Sequence, residues 1–76
     1  MAVVMNSQLL LLRKQLKVSR EKLARRTESV SSGTIRNAEE GKRIVVSNAN
    51  QIHQAINELL QEAGMQKVDT LGLSLY

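Results

Sequence analysis

Two short helical patterns separated by a polar break fill residues 19–43, and they constrain the fold more than any other feature of the chain. Each pattern follows a serine, Ser19 or Ser31, whose side chain is suited to cap the first turn of a helix. Ala24, in the first pattern, is small enough to let a neighbouring helix approach closely. The stretch therefore predicts two short helices joined by a tight turn, with one face of the second helix left exposed.

Helical periodicity continues on both sides of this stretch. Asn6 or Ser7 is expected to cap a first helix, and Ser47 a fourth. Gly41 and Gly64 are expected to end the third and fourth helices, because glycine adopts the left-handed conformation that closes many helices. Four helices are thus predicted, over residues 7–17, 20–27, 32–40 and 48–63.

The C-terminal tail, residues 65–76, is too apolar for a free segment. From Leu71 the alternation of leucine with small or polar residues predicts a short strand, and a turn of helix over residues 69–71 is the alternative. In either form the tail should pack on its own domain or on a second subunit. We therefore expect an all-α fold in which residues 1–64 form one compact bundle and the tail adds a packing or dimerisation segment.

Length and composition exclude several classes of protein. The 76 residues suffice for one domain, and a chain without cysteine has neither disulfides nor thiolate metal sites. The longest apolar run, residues 9–12, is far too short to cross a membrane, and the N-terminus shows no signal-peptide pattern. His53 is the only histidine and has no nearby acid at metal-ligand spacing, so a surface or dimer-contact residue is expected. We expect no metal, no cofactor and no catalytic site.

The charge is distributed unevenly along the chain. Residues 1–44 carry 10 of the 11 Lys and Arg and 4 of the 7 Asp and Glu, a net charge of +6, whereas residues 45–76 carry −2. A basic half suits a polyanion, since each phosphate neutralised by Lys or Arg releases condensed counterions; a soluble surface with a chance asymmetry is the alternative. Tyr76 is the only aromatic residue, and binders of single strands need rings on which bases stack. The composition therefore favours duplex DNA.

Five short sequence elements occur in a familiar order between residues 9 and 60. They are Leu12-Arg13, Leu23-Ala24, Thr34-Ile35, the Glu-x-Gly-Lys run over residues 39–42, and an amphipathic helix ending near Ala55-Ile56. Together they resemble the Cro/CI-type helix-turn-helix domain of phage repressors and of the xenobiotic-response-element (XRE) regulators. The resemblance implies a lambda-repressor-like bundle of four to five helices in a cytoplasmic, bacterial or phage-type transcriptional regulator. It also implies a homodimer that binds palindromic operators.

The resemblance further implies which side chains meet the bases. In that family the first exposed positions of the third helix reach base edges, here Ser32 and Gly33. The exposed pair one turn later does the same, here Arg36 and Asn37. Their chemistry agrees, because arginine makes bidentate hydrogen bonds to guanine and asparagine makes them to adenine. The third helix, over residues 32–40, is therefore expected to lie in the major groove.

Phosphate contacts are implied on both sides of the third helix. The start of the second helix touches phosphate in the family, here Ser19 and Arg20. The residues after the Glu-x-Gly turn do so as well, here Lys42 and Arg43. The two arginines at 25–26 either contact phosphate or lie on a solvated face of the second helix.

One internal ion pair and one unusual turn complete the comparison with the family pattern. The family often pairs the arginine of the first helix with the glutamate of the third, here Arg13 with Glu39; the alternative is two unrelated surface charges. The segment between Ala24 and Ile35 is one residue longer than the common pattern. A looser turn around residues 28–30 is therefore expected.

Three functions remain open from the sequence. The first is a sequence-specific DNA-binding regulator that dimerises through its fourth helix and tail. The second is an antitoxin or co-regulator that binds a protein partner through the same surface, and the third is a helical interaction module that does not bind DNA. The fourth helix and the tail hold more apolar residues than one small core needs. The dimer candidates among them are Leu60, Leu71, Leu73, Leu75 and Tyr76.

Overall fold

Four helices and three short strands make up the computed structural model, which describes residues 2–5, 8–66 and the backbone of residues 74–75. The described helices are α1 (Gln8–Leu16), α2 (Arg20–Arg25), α3 (Ser32–Glu39) and α4 (Val46–Glu62). The strands are β1 (Ala2–Val4), β2 (Ile44–Val45) and β3 (Ser74–Leu75). The architecture is mostly helical, as expected, with one small sheet beside the helices.

Local capping explains where the two central helices begin. The Ser19 hydroxyl accepts a hydrogen bond from the Lys22 amide at 3.1 Å, and the Ser31 hydroxyl accepts one from the Thr34 amide at 3.2 Å. Both serines were predicted as N-caps, and both predictions are confirmed. Each side chain satisfies one of the backbone donors that a helix leaves unpaired at its start.

The ends of α3 and α4 are closed by glycine. Gly41 and Gly64 have φ angles of +80° and +74°, a region that costs glycine nothing but strains other residues. Beyond Gly41, the Lys42 amide donates to the Asn37 carbonyl at 2.9 Å, which completes a Schellman closure. The predicted roles of both glycines are confirmed.

The start of α4 differs from the prediction. The helix begins at Val46, and Val45 precedes it with an extended backbone and no side-chain cap. Ser47, the expected cap, therefore lies inside the first turn. The reason is that β2 runs directly into α4, so the sheet and not a polar cap sets this boundary. The caps expected at residues 6–7 lie outside the described residues.

A three-stranded antiparallel sheet joins the two ends of the chain. Its strand order is β2-β1-β3, with Val3 opposite Ile44 on one side and opposite Leu75 on the other. The tail was expected to form a strand from Leu71, and residues 74–75 do so. The alternative, a turn of helix over residues 69–71, lies outside the described residues. The N-terminal strand was not anticipated, although β-branched residues favour strands.

One apolar cluster forms the core between the helices and the sheet. Leu23, Ile35, Ile52 and Ile56 are fully buried in it, and Val3 of β1 closes it on the sheet side. α3 packs against α1, α2, α4 and β2, so its inner face is fixed from several directions. No helix among the described residues combines the length and apolar character needed to cross a membrane.

The burial of Leu60 corrects one of the dimer assignments. Its side chain is only 1% exposed and belongs to the core cluster. Leu60 lies one helical turn after Ile56 on the inward face of α4, so it packs within the monomer and offers nothing to a second subunit. Of the other candidates, Leu71, Leu73 and Tyr76 lie outside the described residues, and Leu75 is described only by its backbone pairing in β3.

Candidate nucleic-acid interface

The third helix separates a buried face from an exposed one. Ile35 and Ala38 are buried, and they hold α3 against the rest of the molecule. Arg36 and Asn37, one position away on the helix, are exposed, and the Arg36 side chain is 64% accessible. The helical period separates the two sets, because residues three positions apart share a face.

The N-terminal turn of α3 exposes the other two expected base contacts to different degrees. Gly33 is exposed, and Ser32 is half-buried. Ser31, which caps the helix, has its hydroxyl 3.1 Å from the hydroxyl of Thr34. The structure thus brings all four expected base-contact residues onto the accessible side of one helix, with Ser32 the least accessible of them.

Acidic and basic side chains meet at the C-terminal end of α3. The Arg36 Nε lies 3.6 Å from a carboxylate oxygen of Glu40, and the Lys42 Nζ lies 3.2 Å from the other oxygen. All three side chains are exposed, so these ion pairs contribute little to stability and are easily exchanged for other partners. Glu40 therefore lowers the positive charge beside Arg36 without fixing its position.

A shallow groove continues the exposed face of α3 toward the sheet. Asn37 lines the α3 side of this groove. Arg43, the residue before β2, lines the sheet side, and Asn48 lies in the first turn of α4. Sequence reasoning missed Asn48, because the helix start was placed two residues too late and the position was taken for the helix boundary itself. The groove adds a second carboxamide beside Asn37.

A buried carboxylate joins the first three helices. Glu39, whose side chain is 2% exposed, accepts hydrogen bonds from the Arg13 guanidinium through both of its oxygens. The Arg20 Nε donates to the same carboxylate at 2.9 Å. Arg13 also donates to the Val18 carbonyl at 3.0 Å. The expected ion pair between Arg13 and Glu39 is therefore present, and the structure adds a third member.

The third member is a residue for which another role was expected. Arg20 was assigned to phosphate, but its Nε is held by Glu39 while its side chain remains 39% exposed. Ser19, the residue before it, is exposed and uses its hydroxyl to cap α2. The structure thus places the start of α2 against α3, with the Arg20 side chain still partly exposed.

The turn between α2 and α3 is held by two side chains. The Thr27 hydroxyl donates to the Ala24 carbonyl at 2.6 Å and accepts from the Val30 amide at 3.1 Å. From α4, the Gln51 side-chain oxygen accepts from the Glu28 and Ser29 amides, each at 3.0 Å. The turn that was expected to be looser is thus held by hydrogen bonds of the Thr27 and Gln51 side chains.

An ion pair on the surface links α2 to α4. Both terminal nitrogens of Arg26 donate to the Glu62 carboxylate at 2.6 Å, and one of them lies 4.0 Å from Glu58. The hydrogen bond from Arg26 lowers the pKa of Glu62 below its ordinary value, and the same bond raises the pKa of Arg26. Of the two arginines at 25–26, the second therefore bridges helices, while Arg25 is exposed.

The exposed face of α3 offers a guanidinium and a carboxamide at the adjacent positions Arg36 and Asn37, one helical turn after Ser32 and Gly33. Elsewhere in the described residues, no three His, Cys, Asp or Glu side chains are grouped so that they could hold a metal ion. His53 is half-buried on α4. No family model, curated protein or solved structure matches this chain.

Proposed function

We propose that the protein is a sequence-specific regulator that binds double-stranded DNA in the cytoplasm, with α3 in the major groove. The observation that carries the proposal is the accessibility of Arg36 and Asn37 beside the buried Ile35. A guanidinium matches the two acceptors of guanine, and a carboxamide matches the acceptor and donor of adenine. Ser32 and Gly33 would approach the neighbouring base edges from the first turn of the helix.

The charges around α3 support binding to the phosphate backbone. Lys42 and Arg43 are exposed just beyond the C-terminal end of α3, and Ser19 and Arg20 lie at the start of α2. We assign these four residues to phosphate contacts, with Arg20 sharing its guanidinium between Glu39 and the DNA. Such contacts position a protein on the duplex but carry no sequence information themselves.

We further propose that two copies bind together. A homodimer would place α3 of each subunit in successive major grooves about 34 Å apart, which doubles the length of sequence read. With Leu60 inside the core, the dimer contact is assigned to the tail, residues 65–76. Sedimentation of the free protein over a range of concentrations tests this assignment, and a monomer at every concentration would exclude it.

Selection of bound duplexes from a random pool tests the proposed function. We expect a palindromic consensus whose half-sites contain guanine and adenine at adjacent positions, and an affinity that falls steeply as salt rises. A consensus without two-fold symmetry would support sequence-specific DNA binding but contradict the proposed homodimer. Failure to enrich any duplex would reject the regulator and favour an interaction module that binds protein.

A further inference from the structure

The side chain of Gln51 reaches from α4 to the turn that precedes α3. Its oxygen accepts two consecutive backbone amides, from Glu28 and Ser29, and its nitrogen lies 3.3 Å from the Ser29 hydroxyl. The orientation of the carboxamide follows from the chemistry, because two N–H groups can meet only the acceptor atom. All the polar atoms of this side chain therefore act on one turn.

We propose that Gln51 is a positioning residue, which fixes the α2–α3 turn (residues 26–31) and thereby the start of the reading helix. Ser31 belongs to this turn and caps α3, so a displacement of the turn would move the first residues of α3. The proposal rests on the proposed function of α3. It adds a residue of α4 that touches no base and nevertheless sets how accurately bases are read.

The surroundings of Gln51 separate this role from a general contribution to folding. Glu28 and Ser29 are exposed, and an open groove bordered by Arg26, Gln54 and Glu58 lies beside them. If the carboxamide were removed, water could reach the two amides and satisfy them, so the loss of stability should be modest. The turn would then have no fixed acceptor, while the apolar core would remain unchanged.

Hydrogen bonds to base edges require accurate placement of the side chains that make them, whereas contacts with phosphate do not. Functional side chains need to be held within about 0.5 Å of their working geometry by supporting residues. Contacts with phosphate depend mainly on charge and tolerate displacement. Loss of the Gln51 hydrogen bonds should therefore reduce binding to the preferred duplex far more than binding to unrelated duplexes.

The test uses three variants of the full chain. Gln51→Met keeps the length of the side chain without its hydrogen bonds, and Gln51→Glu keeps an acceptor for both amides. Gln54→Ala is the matched control, because Gln54 is exposed on the same helix and, among the described residues, its side chain bonds only to Glu58, at 3.4 Å. Circular dichroism on heating confirms that each variant is folded.

Two readouts are measured on each variant. The first is amide hydrogen exchange at Glu28 and Ser29, which we expect to become about tenfold faster or more in Gln51→Met, because two hydrogen bonds are lost. The second is affinity for the selected duplex and for a scrambled one. We expect about a tenfold loss on the selected duplex alone. Gln51→Glu should restore both readouts, and Gln54→Ala should leave both unchanged.

The two readouts separate failure of this proposal from failure of the proposed function. Unchanged exchange in Gln51→Met would show that the turn is held by other bonds and would overturn the role of Gln51. Faster exchange with unchanged discrimination between duplexes would overturn the positioning role while leaving DNA binding intact. If the wild type selects no duplex, the proposed function fails, and with it the role of Gln51 in reading bases, whatever the exchange rates show.

Discussion

At the scale of single residues, Glu39 is the charged side chain of the described residues with the largest expected effect on stability. Its buried carboxylate pairs with Arg13 of α1 and Arg20 of α2, so one side chain of α3 ties three helices together. A buried charge with partners gives little net stability over an apolar replacement, but removal of one partner leaves the other uncompensated. The consequence should depend strongly on which partner is removed.

Glu39→Ala should destabilise the protein by about 3–5 kcal/mol, because it leaves the largely buried guanidinium of Arg13 without a counter-charge. Arg20→Ala should cost no more than about 1 kcal/mol, since Arg20 is partly exposed and Arg13 still neutralises the carboxylate. Urea denaturation followed by circular dichroism measures both values. Equal losses for the two variants would contradict the view that Arg13 neutralises the buried carboxylate when Arg20 is absent.

Glu40 acts on the proposed interface in the opposite direction. It pairs with Arg36 and Lys42, two cations that DNA would also attract. Glu40→Gln should raise the affinity for every duplex by a similar factor and change the free energy of unfolding by less than about 0.5 kcal/mol. Glu58→Gln, which makes the same change in net charge on α4, is the control. An equal gain from both variants would point to net charge and not to the surroundings of Arg36.

Side-chain partners that lie far apart along the chain could be predicted only where a family pattern indicated them. The pairing of Arg13 with Glu39 came from such a pattern. The bonds of Arg20 to Glu39 and of Gln51 to the turn span 19 to 23 positions of the chain. Nothing local in the sequence indicates contacts across such separations, because they depend on how the helices pack.

At the scale of elements, most helix boundaries were predictable because they depend on neighbouring residues. Ser19 and Ser31 cap helices, and Gly41 and Gly64 close them, through bonds within a few positions. The strand β1 was not predicted, because its partners in β2 and β3 lie at least 41 and 70 positions away along the chain. The start of α4 was misplaced for the same reason, since β2 sets it.

Gly33 provides a test at the element scale. It lies in the first turn of α3 with an ordinary helical backbone, and an added Cβ would meet only the Ser31 hydroxyl, at 3.8 Å. Gly33→Ala should therefore stabilise the protein by about 0.5–1 kcal/mol. Gly41→Ala is the opposing control and should destabilise, because Gly41 has a positive φ. A loss of stability in Gly33→Ala would mean that α3 does not start as described.

The same substitution examines the interface. If Gly33 lies against the bases, the methyl group should weaken binding to the selected duplex even though the protein is more stable. Opposite changes in stability and affinity from one methyl group would therefore support the assignment of Gly33. A gain in both would remove it from the base contacts.

At the scale of the whole molecule, the bridge from Arg26 to Glu62 links the C-terminal end of α2 to α4. The pKa of Glu62 is lowered in the folded state by the hydrogen bond from Arg26. A lowered carboxyl pKa contributes stability above the pKa of the unfolded chain, and this contribution is lost as the pH falls through the folded value. Stability should therefore decrease in the acidic range in part because this bridge is lost.

Glu62→Gln isolates this contribution. Its midpoint of urea denaturation should lie below that of the wild type at about pH 7. The two midpoints should converge as the pH falls below about 4.3, the value of an unperturbed glutamate, and through the lowered folded pKa of Glu62. Glu58→Gln is the control, because Glu58 lies 4.0 Å from Arg26 and should show a smaller difference. A difference between Glu62→Gln and wild type that persists in acid would assign the effect to packing and not to charge.

The distribution of apolar residues between core and surface was only partly predictable. Leu60 shows the reason. The sheet and three helices surround α4, so they bury a wider apolar stripe of this helix than the sequence predicts. The sequence alone could not distinguish surplus apolar residues from a larger core. It did place Ile35 inside and Arg36 and Asn37 outside, on which the proposed function depends.

Affinities of the wild type and three variants for the selected duplex and its single-base variants test the central claim most directly. Arg36→Ala and Asn37→Ala should each lose about 1–3 kcal/mol on the selected duplex and lose the preference at one base position. Lys42→Ala should weaken binding to all duplexes about equally. If all three variants showed the same uniform loss, α3 would not read bases, and the account given for its exposed face would be wrong.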